Sequence, residues 1–244
     1  MLTIVAIIPC RYASTRLPGK PLRKIAGKTL IHHIYENVLN TQLFEQVIVA
    51  TDDERIVKEV ESFNGEVVMS DKGHPSGSDR VAEIARSHDA DVVVNIQGDE
   101  LFLGKNELSE LLECFQESST FVVTLAHPLY DEAEISNPNR VKVVCDRQGN
   151  ALYFSRSVIP YLRGNEKFNT LGHIGVYAFR KNALMKFAEL PQSKLEKAER
   201  LEQLRLLENG IKIKVVVTEY QGFSIDTEDD LLEAEELLKN SKNI

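Results

Sequence analysis

Two acidic residues far apart in the chain stand where chemistry could be done. Asp99 sits in Asn95-Ile96-Gln97-Gly98-Asp99-Glu100, directly after an apolar run. A glycine followed by an acid at a strand end lets a carboxylate project into a cleft. Such a carboxylate suits a hard cation, because Mg²⁺ takes one or two carboxylates and fills its other positions with water and phosphate oxygens. Asp226, between Ser224-Ile225 and Thr227, is the second candidate. Both residues have an ordinary reading too. Gly-Asp is a turn dipeptide, and Asp ahead of a helix is a common cap. Gln97 and Glu100 are alternative oxygen donors beside Asp99.

A cationic loop offers the complementary chemistry. Ile8-Pro9-Cys10-Arg11-Tyr12-Ala13-Ser14-Thr15-Arg16-Leu17-Pro18-Gly19-Lys20-Pro21-Leu22 follows the first apolar run, which stops at Pro9. Arg11, Arg16, Lys20, Arg23, Lys24 and Lys28 precede the first acidic residue, Glu36, although the whole chain carries a net charge of -8. A buried strand feeding a basic, turn-rich loop can hold a phosphate chain. A solvated basic loop is the plainer reading. The loop is not a P-loop, since Ser14 replaces the first glycine and Pro21 follows the lysine. Nor is it a dinucleotide fingerprint.

Further polar residues are spread along the chain. Ser76-Gly77-Ser78-Asp79-Arg80 opens a helix whose first N–H groups could meet a base edge or a phosphate, or are simply capped. Lys142, Arg156, Arg163, His173 and Tyr177 lie in or beside second-half strands. A sugar bearing a carboxylate would need such cations and hydroxyl partners; each is equally a structural residue. His32-His33 and His74 lack metal-ligand spacing. No Gly-x-Ser-x-Gly elbow or Cys/His signature points to a covalent nucleophile.

The elements that must position these groups alternate short apolar runs with helical periodicity. Strands are expected at residues 4–8, 46–51, 66–69 and 91–96, and helices at 29–40, 53–63 and 76–87. Continuous Val/Ile strands separated by helices imply a parallel sheet covered on both faces. Ligands of such sheets bind beyond the carboxyl ends of the strands. Residues 11–20, Asp52-Asp53 and 97–100 then share one edge. After about residue 118 the rhythm changes to strands at 121–125, 141–145, 151–154 and 174–179. A mixed-sheet extension that carries a dimer surface fits this change. A helix is expected over 193–209, opened by the capping box Ser193-x-x-Glu196 and stopped at Gly210. A strand at 211–218 and an acidic helix at 228–238 follow.

Composition bounds the rest. The 244 residues, 43% hydrophobic and 27% charged, suit one large α/β domain. The acidic balance argues against a nucleic-acid partner. Three widely spaced cysteines argue against disulfide frameworks and zinc. Neither a signal peptide nor a membrane-length apolar run is present, and a reducing cytoplasm is expected.

Taken together, several segments resemble the sugar cytidylyltransferases. The N-terminal basic loop is similar to a signature that these CMP-sugar enzymes share. Val49-Ala50-Thr51-Asp52-Asp53, Pro75-Ser76-Gly77-Ser78-Asp79-Arg80, Asn95-Ile96-Gln97-Gly98-Asp99-Glu100, Ala151-Leu152-Tyr153-Phe154-Ser155-Arg156, Leu201-Glu202-Gln203-Leu204-Arg205 and Asp226-Thr227-Glu228-Asp229 resemble the 3-deoxy-manno-octulosonate (Kdo) branch. The likeness runs in order over nearly the whole chain. It implies a glycosyltransferase-A-like nucleotidyltransferase fold: α/β, with a central mostly parallel mixed sheet flanked by helices and a smaller mixed-sheet extension for sugar binding and dimerisation. One domain would span 1–244, with a nucleotide half to about 118, a sugar and dimer part over 119–218, and a metal-ligand loop and last helix over 219–244. It also implies CTP and Kdo as substrates, Mg²⁺ as cofactor, CMP-Kdo and pyrophosphate as products for lipopolysaccharide assembly, and a cytoplasmic homodimer with no nucleic-acid or membrane partner. By the same resemblance Arg11 and Lys20 hold the triphosphate and act in catalysis, with Ser14 of their loop counted among the nucleotide residues. Ser76, Ser78, Arg80 and Gln97 surround the cytidine. Asp99 and Asp226 hold the metal. Lys142, Arg156, Arg163, His173, Tyr177, Glu202 and Gln203 line the sugar side. The sequence departs from the family's pattern at Leu101, where proline is usual, and at Gly172, where a basic residue is usual. Gly172 leaves a related acidic sugar, an 8-amino-Kdo or a nonulosonate, as the alternative substrate.

Overall fold

The computed structural model describes residues 2–13, 17–164 and 168–241 of the chain. Ser14 lies outside the described residues. The fold is α/β. Two compact units emerge: residues 1–105 with 222–244, and residues 106–221. The first unit is thus built from both ends of the chain, a division drawn slightly differently from the 1–118 and 219–244 stretches expected from the sequence.

The first unit carries a parallel sheet. Its strands are β1 (Ile4–Cys10), β4 (Gln46–Thr51), β5 (Glu66–Met69) and β6 (Val92–Asn95), with a small hairpin, β2 (Lys24–Ile25) and β3 (Lys28–Thr29), between the first two. Their spatial order is β6-β1-β4-β5. Strands β1 and β6 are buried along almost their whole length, which is why they read as unbroken Val/Ile runs rather than alternating ones. Pro9 does not end β1. It pairs in register with Ala50, and the strand continues to Cys10 opposite Thr51. Helices α1 (Leu30–Asn40), α2 (Glu54–Ser62) and α3 (Gly77–Arg86) pack on this sheet. The caps of α2 and α3 are Asp53 and Ser76. A closing helix, Glu228–Ser241, completes the unit.

The second unit holds α4 (Lys105–Glu113), β7 (Val122–Leu129), α5 (Glu132–Ser136), β8 (Lys142–Cys145), β9 (Ala151–Ser155), β10 (Thr170–Arg180), α6 (Lys181–Glu189), α7 (Lys194–Glu199), α8 (Leu204–Glu208) and β11 (Lys214–Val217). Its sheet is mixed. Strand β10 runs antiparallel to β7 and β8, β8 antiparallel to β9, and β11 parallel to β7. A bulge between Ile174 and Tyr177 re-aims the second half of β10.

One sequence expectation fails here. Residues 193–209 form two helices, not one. The capping box at Ser193 is present, but Arg200 turns left-handed (φ 54°, ψ 49°) and ends α7. The reason is a buried ion pair: Arg205 Nε and Nη2 donate to Glu196 Oε2 and Oε1 at 2.9 and 2.6 Å. In a straight helix, residues nine apart are separated by roughly 13 Å along the axis. Only a break lets these two side chains meet. Helices α4, α5 and α6 were not foreseen from periodicity.

Candidate functional site

The site grows from the carboxyl ends of the parallel strands. Beyond β6, Gly98 passes so close to β1 that a Cβ there would lie 2.7 Å from Cys10 Sγ and 3.0 Å from the Pro9 carbonyl oxygen. Glycine is therefore required at this point, and it delivers Asp99 to the strand edge. The next residues pair with a distant stretch of chain. Ile225 N–H donates to the Asp99 carbonyl at 3.1 Å, and Glu100 bridges Ser224. This short antiparallel contact carries Asp226 to Asp99. Between the two acids stands Lys20, whose Nζ donates to Asp99 Oδ2 at 2.7 Å, to the Ile225 carbonyl at 2.8 Å and to Asp226 Oδ1 at 3.2 Å.

Burial opposes the charge on Lys20, but the Asp99 and Asp226 carboxylates outweigh it and hold the ammonium pKa above its usual value. Beneath them, burial and the Asp99 charge push the Cys10 thiol up to about 12. Cys10 is thus a neutral floor and not a nucleophile. Pro9, Arg11, Ala13, Lys20, Gly77, Gln97, Asp99 and Asp226 are among the residues lining a cleft of about 400 Å³. Arg11 donates from Nη2 to the His74 carbonyl at 2.8 Å, tying the basic loop to residues 70–75.

The residues assigned to the cytidine divide in two. Gln97 and the backbone at Gly77 face the cleft. Ser76, Ser78 and Arg80 are occupied in holding the frame. Ser76 caps α3 and donates to Asp79 Oδ2 at 2.6 Å. Buried Ser78 accepts from Asn95 Nδ2 at 3.0 Å. The Arg80 guanidinium is wholly buried, paired with Asp52 at 2.9 Å and hydrogen-bonded to Ser70 Oγ.

The residues assigned to the sugar lie in the second unit, and their roles also split. Lys142 is fully buried, and its ammonium donates to the carbonyls of Asn137, Arg140 and Arg156 at 3.0, 2.6 and 2.7 Å. Burial, with Arg156 nearby, lowers its pKa. Arg156 donates to the carbonyls of Glu199 and Pro138 at 2.8 and 3.1 Å. Arg163 is exposed. His173, Tyr177 and Gln203 form a less satisfied group. The Thr124 hydroxyl donates to the Val176 carbonyl at 2.7 Å, so at 3.0 Å it accepts from His173 Nε2, which fixes the neutral Nε2–H tautomer. Burial pushes the His173 pKa down to about 3. Burial, and then the Glu202 carboxylate, raise the Tyr177 phenol well above its usual value. Gln203 Nε2 is buried without a hydrogen-bond partner among the described residues. Unspent buried polar atoms of this kind are costly and suit a ligand rich in hydroxyls.

Sequence reasoning marked Asp52 on the ligand-binding edge without giving it a partner, and gave Asn95 and Ser70 no role; the three hold Ser78 and Arg80 in place. Asp52 had a signal, since it stands at a strand end on the edge where ligands bind.

Comparison with known proteins agrees with this fold. A family model described as cytidylyltransferase matches residues 5–213. Proteins named 3-deoxy-manno-octulosonate cytidylyltransferase are 44% identical in Thermodesulfovibrio yellowstonii (97% of this chain, 98% of the relative) and 48% identical in Bacteroides thetaiotaomicron (98% and 99%). A solved CMP:2-keto-3-deoxy-manno-octonic acid synthetase complexed with CTP superposes with TM-score 0.93 at 41% identity, covering 98% of this chain and 99% of that one. A 4-diphosphocytidyl-2C-methyl-D-erythritol synthase from Anaerococcus prevotii shares the fold at TM-score 0.66 and 18% identity, over 98% and 99% of the two chains.

Proposed function

The chain belongs to the 3-deoxy-manno-octulosonate cytidylyltransferase family, and on that premise we propose that it activates Kdo with CTP, giving CMP-Kdo and pyrophosphate. One observation carries the assignment of the chemistry to this cleft: Lys20 joined to both Asp99 and Asp226. Two carboxylates that share one cation, beside a basic loop, form a place where a phosphate chain and its counter-ion are held together.

The donor set fits magnesium. Asp99 and Asp226 present hard oxygens to a common point, and Mg²⁺ characteristically takes one or two protein carboxylates with phosphate oxygens completing its shell. When bound there, the ion supplies polarisation of the phosphoryl group and a more acidic attacking hydroxyl. The chain's own residues do the rest. Lys20 and Arg11 offset charge on the departing pyrophosphate. Gln97 and the Gly77 backbone orient the nucleotide. The sugar's anomeric oxygen forms the new bond to the α-phosphorus, the bond to the β-phosphate's bridging oxygen breaks in line, and the hydroxyl proton passes to solvent. No side chain becomes covalently bound.

His173, Tyr177, Glu202 and Gln203 are the groups we assign to the sugar's hydroxyls. Lys142 and Arg156 form the frame behind them. The Gly172 departure does not touch that set. A Cβ there would lie 2.9 Å from His127 Nε2 and 3.0 Å from the Leu129 side chain. Alternate residues of a strand face opposite ways, so Gly172 faces away from His173. We place the reaction in the cytoplasm, supported by three cysteines carried as free thiols; no helix among the described residues is long and apolar enough to cross a membrane. The product would feed lipopolysaccharide assembly. A homodimer is supported by the exposed Val158, Tyr161, Leu162 and Phe168.

The test is pyrophosphate release with Mg²⁺, a panel of nucleoside triphosphates, and Kdo against its 8-amino analogue. Release that requires CTP and prefers Kdo is expected. Equal rates with UTP, or preference for the amino analogue, would overturn the assignment.

A further inference from the structure

The basic loop is closed at its neck by a stack that none of the groups above accounts for. Tyr12 follows Arg11, and Gly19 precedes Lys20. Gly19 N–H donates to the Tyr12 carbonyl at 3.1 Å. The Tyr12 ring lies against the same glycine: a Cβ there would be 3.1 Å from its hydroxyl oxygen and 3.2 Å from two ring carbons. Backbone and ring of Tyr12 thus both grip the residue that sets Lys20 in place. The ring is itself held. The Arg55 guanidinium lies 3.3 Å from its centroid, inside the range of a cation–π contact. Arg55 is in turn fixed by a forked pair, Nε to Asp53 Oδ1 at 2.8 Å and Nη2 to Asp53 Oδ2 at 2.6 Å. Asp53 caps α2 through Arg55 N–H at 2.9 Å, so the chain of contacts ends on a rigid helix.

We propose that Tyr12 and Arg55, anchored by Asp53, are positioning residues that hold Arg11 and Lys20 at the spacing the triphosphate requires. The inference rests on the cytidylyltransferase reading and extends it to residues outside the cleft. A surface ion pair of purely structural value is the plainer account, and it makes a different prediction. Arg55 is more than half exposed, with 57% of its side chain accessible. Its loss should barely change global stability. Loosening the neck, however, shifts two phosphate-binding cations at once, and small misplacements of such groups are costly.

The experiment compares Arg55→Ala, Tyr12→Leu, Tyr12→Phe and the double variant Arg55→Ala/Tyr12→Leu. It reads the KM for CTP, the KM for Kdo, direct binding of CTP and of inorganic pyrophosphate by calorimetry, and the melting temperature. Arg55→Ala and Tyr12→Leu should each weaken CTP and pyrophosphate by about fivefold or more, a size typical of a lost stack. The KM for Kdo and the melting temperature should stay unchanged. Tyr12→Phe keeps the ring and should stay near the parent. The double variant should be no worse than the more affected single one, because both remove one contact. CTP and pyrophosphate affinities within twofold of the parent in Arg55→Ala, additive losses, or a matching rise in both KM values overturn the clamp alone. A parent that binds neither CTP nor pyrophosphate overturns the nucleotide reading and the clamp with it.

Discussion

Two pairs of cations, those beneath the phosphate cleft of the first unit and those assigned to the sugar in the second, handle charge in opposite ways. In the first, cations face carboxylates: Lys20 meets Asp99 and Asp226, and Arg80 meets Asp52. In the second, the buried cation Lys142 donates its hydrogen bonds to backbone carbonyls, and Arg156 does much the same. A carboxylate that answers a lysine can be shared with an incoming ion, and the lysine with an incoming phosphate. Carbonyls of a folded chain have nowhere else to turn. The first arrangement is therefore exchangeable and the second is fixed. Catalysis belongs with the former, and a rigid seat for a sugar belongs with the latter.

The most forceful way to break this contrast is Asp99→Asn. Turnover should fall about a thousandfold, with the melting temperature nearly unchanged. Near-normal rates in a pyrophosphate assay would remove Asp99 from the chemistry. Lys142→Met should do the reverse. Three carbonyls lose their donor, and the chain should lose about 2–3 kcal/mol of stability in urea unfolding. If stability held while only the KM for Kdo rose, Lys142 would be a ligand-facing cation and the contrast would be wrong.

A smaller effect concerns acid. His173 is kept neutral to about pH 3 when folded, while an unfolded histidine titrates near 6.5. The unfolded chain therefore binds the extra proton first. The contribution of this site is complete above pH 6.5 and drains away as pH falls towards 3. Urea midpoints at pH 7 and pH 4.5 should differ less in His173→Asn than in the parent. An undiminished difference would show that the ring is not held neutral. Least of all, Cys10 should react with iodoacetamide only on unfolding, since its thiol stays protonated to about pH 12 and is 2% exposed. Modification of the native protein at pH 8 would contradict the closed floor beneath Asp99.

Much of the first unit was legible in advance, because buried parallel strands announce themselves as Val/Ile runs. Their carboxyl ends placed residues 11–20, Asp52-Asp53 and 97–100 on one edge, and the parallel pairing of β1 with β4 and β6 brings the chain to that edge at Arg11, Asp52 and Gln97. What local pattern could not reveal was the meeting of Asp99 with Asp226. That depends on two short, irregular stretches pairing across the fold, and neither has a periodicity. The break at Arg200 was hidden for a similar reason, since a capping box marks only where a helix begins. The roles of Lys142 and Ser78 were obscure because their partners, backbone carbonyls and a buried asparagine, leave no trace in spacing.

The contact of residues 99–100 with 224–225 also sets a timetable for synthesis. A nascent chain halted before residue 222 already contains Lys20 and Asp99, yet lacks the second acid and the segment that closes the first unit. The ribosome must therefore deliver the whole intervening unit before the reaction centre can be assembled, and prematurely terminated fragments would be catalytically silent.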